Sequence, residues 1–179
     1  MTIGAIDPEQ RRVAERLILA ALRRFHREQP LSVDLRMDAL VRRVRDAAKR
    51  KLPPRHRGAT PLILEDADLR RVIEEMAERV ERLIEGLRSA GAEPPRIDGP
   101  AARLGIPPPV IDQLRAGGML RQVAPGIDYP ADVWSALAAR VEAMRGPLSI
   151  ARLRDELHTS RRHAEAIMTA LARDRRGVR

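Results

Sequence analysis

The chain has 179 residues, 44% of them apolar, and a net charge of +9, enough apolar material for one ordinary domain or two to three small ones. It contains no cysteine, which excludes disulfide frameworks, thiolate metal sites and cysteine nucleophiles. No apolar run approaches the ~20 residues of a membrane span, and the N-terminus lacks the apolar core of a signal peptide, so a cytoplasmic protein is expected.

Asp7-Pro8 is a helix opening, an N-cap residue followed by proline at the first helical position. Leu17, Ile18, Ala21, Leu22 and Phe25 then recur at helical spacing, and Pro30 closes the segment. A second helix is predicted from Leu35 to about Arg50, with Leu40, Val41 and Val44 inward. The run "KRKLPPRHRGATP" that follows reads as a linker or a loop, and places a boundary near residue 58. Residues 66–88 form the longest predicted helix, with Leu69, Val72, Ile73, Met76, Val80, Leu83, Ile84 and Leu87 on one stripe.

Beyond Pro94-Pro95 the pattern changes. "RIDGPAARLG" predicts a short strand and a short helix, "IPPPVIDQLRAGG" a turn and a second helix, and "MLRQVAPGIDYP" two strands joined at Pro125-Gly126. That is the element order of a winged helix. It begins again: "ADVWSALAARVEAM" predicts a helix with Val133, Leu137, Val141 and Met144 inward, "GPLSI" a strand, "ARLRDEL" a helix, and "HTS" a turn. "RRHAEAIMTALARD" predicts a last helix with Ala164, Ile167, Met168 and Leu171 buried and Arg161, Arg162, Glu165, Thr169 and Arg173 outside. The expected fold is mainly α, built of tandem winged-helix modules: a degenerate one over 1–58, one over 59–130, and one over 131–179 that lacks most of its wing.

A sequence pI near 11.3 points to a polyanionic partner. Counting Lys and Arg against Asp and Glu, residues 1–60 carry 15 against 7 and residues 147–179 carry 8 against 4, whereas residues 61–100 carry 6 against 10. The two ends are basic. Arg161-Arg162 is the informative pair, because cations at a helix N-terminus oppose the backbone dipole unless an anion arrives. Unpaired amides at that end bind phosphate, Thr159 or Ser160 can cap it, and the arginines would reach phosphate oxygens. The corresponding helix of the middle module opens on Pro107, Pro108 and Pro109, which have no N–H to offer, so that module reads as a spacer or protein contact.

Two stretches carry a resemblance. "FHREQPLSVDLRMDAL" and "ARLRDELHTSRRHAEAIMTAL" followed by "GVR" resemble the C-terminal region of the bacterial selenocysteine-specific translation elongation factors, a string of four winged helices of which this chain resembles the last three. The resemblance implies RNA binding: in that family the last winged helix grips the selenocysteine-insertion hairpin of the mRNA. It sets Ser160, Arg161 and Arg162 on the family's Ser-Arg-Lys, and Arg154-Asp155 on its Arg-Asp. The chain departs at His158, where a glycine is usual, at His163, where an aromatic is usual, and in ending at Arg179, where the wing would begin.

The expected RNA-contact set is Arg154, Thr159, Ser160, Arg161, Arg162, His163, Arg176 and Arg179. The implied partners are an mRNA stem-loop, the ribosome, and a GTPase and tRNA-binding portion encoded upstream, with the chain itself a monomer. No G-x-x-x-x-G-K-[ST] phosphate loop is present, so no GTPase activity, enzymatic role or cofactor is expected. His26, His56, His158 and His163 lack metal-ligand spacing, and no metal site is expected. Trp134 reads as a packing residue, and with one Trp, one Tyr and one Phe a base-stacking surface is hard to build. Two other readings stand beside this one: a DNA-binding winged-helix regulator, which would dimerise, and an inactive or protein-interaction fragment whose last module is marginally folded.

Overall fold

The computed structural model describes residues 8–28, 37–51 and 66–177. Among these are eight helices and one two-stranded antiparallel sheet, so the protein is mainly helical. The chain divides into two compact units, Met1–Glu78 and Arg79–Arg179, and the division falls inside a helix.

In the first unit, α1 (Pro8–Glu28) and α2 (Met37–Lys51) pack against the opening of α3 (Asp66–Ser89). The predicted stripes make the core: Ala14, Leu17, Ile18 and Ala21 of α1 meet Leu40, Val41 and Val44 of α2 and Leu69 and Val72 of α3. Arg11 pairs with Glu75, and Arg45 makes a two-pronged pair with Asp66. The boundary expected at residue 58 lies outside the described residues, as do the side chains of Leu22 and Phe25. Leu69 and Val72, expected in the middle module, belong to this first core.

The second unit holds the end of α3, α4 (Asp98–Arg103), α5 (Pro108–Ala116), the strands β1 (Leu120–Ala124) and β2 (Ile127–Pro130), α6 (Ala131–Glu142), α7 (Ile150–Leu157) and α8 (Arg161–Gly177). The hairpin turns at Pro125-Gly126, where Gly126 takes φ +75°, a region closed to most side chains. Its register pairs Arg121 with Tyr129 and Gln122 with Asp128, with an irregularity between Gln122 and Ala124. All four residues of β2 are buried, because that strand is covered on both faces, whereas Arg121 and Gln122 of β1 are exposed. Ile127 and Tyr129 join a core with Trp134, Leu137 and Val141 of α6, Leu153 and Leu157 of α7, and Ile167 and Leu171 of α8. Asp128 turns the other way and accepts two hydrogen bonds from Arg115 of α5, at 2.8 and 2.9 Å.

Two predicted strands do not form. Residues 94–96 and 147–149 are irregular, and the sheet stays two-stranded. A strand needs a partner ladder; the first segment makes one backbone bond to the hairpin, Ile97 N–H to Gly126 O at 3.1 Å. In the second, extended Ser149 caps α7 through its hydroxyl on Arg152 N–H. At the junction expected at 130/131, β2 runs straight into α6 and both contribute to one core.

Candidate nucleic-acid interface

The turn between α7 and α8 places the residues singled out in the sequence. His158 ends α7 in the left-handed conformation, φ 51° and ψ 52°. Thr159 N–H bonds Arg154 O at 3.0 Å and His158 N–H bonds Asp155 O at 3.4 Å, a Schellman closure whose pivotal residue is normally glycine. His158 therefore does the geometric work of the glycine it replaces, at the cost of a Cβ in a crowded backbone conformation.

The next residues fasten the tip of α8 to the segment after α3. Thr159 is buried, and its hydroxyl donates to Ala92 O at 2.8 Å. The Tyr129 hydroxyl donates to the same carbonyl at 3.0 Å. Burial, and secondarily the charge of Glu93, raises the Tyr129 pKa well above its ordinary value, so the phenol stays a donor. His163 is buried with Nε2 3.1 Å from Pro94 O and Nδ1 2.7 Å from Ser160 Oγ. A carbonyl can only accept, so Nε2 carries a hydrogen and donates to Pro94 O, while Nδ1 shares a hydrogen bond with the Ser160 hydroxyl and lies 3.8 Å from Glu93 Oε1. Thr159 and His163, expected at the RNA surface, are thus turned inward: the carbonyls of Ala92 and Pro94 claim them.

The outward residues of the predicted set divide into paired and unpaired. Arg154 bonds Asp155, and Arg161 bonds Glu165 one turn on at 2.9 Å. The Arg161 side chain is 79% exposed, so this pair contributes roughly 0–1 kcal/mol and exchanges readily for another anion. Arg176 caps a carbonyl of its own helix, Ala172 O. Arg162 is exposed and makes no hydrogen bond or ion pair among the described residues. Arg179 lies outside the described residues. Ser160 is partly buried and is the side-chain cap of α8, with Oγ 3.5 Å from His163 N.

Two further arginines, absent from the sequence-derived set, stand with Arg162 around a groove of about 820 Å³ between the hairpin and the outer face of α8. Arg173 comes from the far end of α8 and donates to Val123 O. Arg96 comes from the segment before α4 and lies against Gly126: a Cβ there would stand 3.2–3.3 Å from three of its guanidinium atoms. Arg173 could be read outward from the α8 period. Nothing local in "RIDGP" announces that the Ile97–Gly126 bond carries Arg96 to the hairpin turn.

The chain matches no protein-family model and no curated protein. Among the described residues, no helix is long and apolar enough to cross a membrane.

Proposed function

We propose that the second unit is a non-enzymatic RNA-binding segment, its helices and hairpin forming two winged-helix modules in tandem, and that it grips an mRNA hairpin of the selenocysteine-insertion kind. The observation that carries the reading is Arg162: an exposed guanidinium without a partner among the described residues, in the first turn of a helix capped by Ser160, where a cation is unfavourable until an anion joins it. Residues 147–179 carry 8 basic against 4 acidic side chains, which supplies the long-range attraction. A-form RNA has a major groove too narrow for a helix, so contacts fall on phosphates and on splayed loop or bulge bases. Arg161 and Arg154 join by exchanging Asp and Glu partners for phosphate, while Thr159, Ser160 and His163 hold the α8 tip in place.

Electrophoretic titration of the full chain with a selenocysteine-insertion hairpin and with an unrelated hairpin of equal length tests the reading. Tighter binding of the first, weakened by Arg162→Ala, is the expected result. Equal affinity for both, or indifference to Arg162→Ala, removes specific recognition, and a preference for duplex DNA moves the unit to the regulator class.

A further inference from the structure

We propose that the groove between the hairpin turn and the outer face of α8 seats an unpaired stretch of RNA, with phosphates on Arg96, Arg162 and Arg173 and a base face on the apolar floor. The inference rests on the RNA-binding reading of this unit and adds where its unpaired strand runs and which arginines beyond the α8 tip hold it.

Three guanidinium groups from separate parts of the unit line this one groove, and the single acid among its lining residues, Glu165, is already bonded to Arg161. Gathering like charges is unfavourable in the free protein and is relieved by a polyanion. Arg173 is held in advance on the Val123 carbonyl, so little of its side-chain freedom is lost when a ligand arrives, and Arg96, beside Gly126, has only a loose exposed pair with Asp98 at 3.7 Å to exchange for phosphate. Arg162 and Arg173 are separated by roughly 16 Å along α8 at 1.5 Å per residue, which suits a strand laid along the helix.

The floor decides between a paired and an unpaired strand. Of its apolar lining, Val123, Ile127 and Ala166 are buried beneath and Pro125 is exposed beside the half-buried Ala124, so the apolar contact area for a splayed base lies at the hairpin turn, where it offers nothing to the phosphates of a duplex exterior. Guanidinium planes themselves stack on bases, which compensates for the shortage of aromatic rings.

Fluorescence anisotropy of the full chain with a uridine-rich unpaired RNA and with a blunt RNA duplex of the same length tests the proposal. The unpaired probe is expected to bind more tightly, and Arg96→Ala and Thr169→Glu each to weaken it by about fivefold or more. Arg96→Ala should also flatten the dependence of log affinity on log salt by about 0.7. Both positions are exposed and outside the cores, so an unchanged thermal midpoint accompanies the loss. Unpaired-probe binding that ignores Arg96→Ala and Thr169→Glu but falls with Arg162→Ala overturns the groove and leaves the α8 tip as the contact. Preference for the duplex overturns the groove as well. Binding of neither probe nor the insertion hairpin overturns the RNA-binding reading itself.

Discussion

The turn joining α4 to α5 and the turn joining α7 to α8 use the same backbone closure and end in opposite chemistry. In the first, Gly105 takes φ +63° and Ile106 N–H returns to Ala101 O at 2.9 Å; in the second, His158 takes φ 51° and Thr159 N–H returns to Arg154 O at 3.0 Å. The helix that follows then opens on Pro108-Pro109 in one case and on Arg161-Arg162 in the other. The prolines remove two of the donors that would attract an anion, whereas the arginines add cations beside donors that remain. The same turn geometry is thus compatible with a chemically silent helix start and with a charged one, and the residues just past the turn decide which.

The two regions are also anchored differently, and that difference can be broken. The α5 side is tied to the hairpin by Arg115 and the fully buried Asp128, and hydrogen bonding to Asp128, above all, raises the Arg115 pKa. Asp128→Ala leaves Arg115 with the exposed Asp112 alone as a partner, 3.3 Å away, and should cost about 2 kcal/mol, below the usual range for a broken buried pair because Arg115 keeps that partner and some solvent access; urea unfolding followed by circular dichroism measures it. The α8 side hangs on side-chain hydrogen bonds to backbone carbonyls, two of which share the Ala92 carbonyl. Thr159→Val and Tyr129→Phe should each cost about 1 kcal/mol, and the double variant should exceed their sum by roughly 1 kcal/mol, because only then is the carbonyl orphaned. Strict additivity in that cycle would show that the shared acceptor is immaterial.

Smaller effects sharpen the comparison. His158→Gly makes the second turn like the first, and relief of the left-handed strain outweighs the added freedom of the unfolded chain, for a gain of about 0.5–1 kcal/mol. A loss of stability would mean that the imidazole makes a compensating contact. Arg161→Ala should leave stability within about 0.5 kcal/mol, so any larger effect on RNA affinity is a binding effect. Asp132 at the start of α6 has its pKa lowered, chiefly by the hydrogen bond from Arg88. Since the folded value is depressed, the contribution is present above the unfolded value of 3.8 and fades as pH falls through the folded one. Asp132→Asn should therefore remove that small contribution at neutral pH, leave stability at pH below the folded value unchanged, and so flatten the acid limb of the profile.

Features set by neighbours in the chain were legible before the structure. The α3 stripe, the α8 stripe and the Pro125-Gly126 turn follow from period and turn chemistry, and Trp134 is a packing residue, 6.0 Å from the Tyr129 ring. What stayed hidden was decided by distant partners. Thr159 and His163 look like surface turn residues until Ala92 and Pro94, 67 and 69 residues earlier, take their hydrogen bonds. Asp128 looks like an outward strand residue until Arg115 covers it. The "GPLSI" segment has a strand's composition but no edge to join, and Arg96 reaches the groove only through a backbone bond that no periodicity encodes.

The double-sided burial of β2 bears on how this part of the chain can be cut and recombined. Three helices starting at Ala131 look from the sequence like a portable cassette, yet Leu153 and Ile167 share their core with Val123, Ile127 and Tyr129. A transplant made at that point would expose an oily face and clump, so the smallest useful graft must carry the preceding strands along with it.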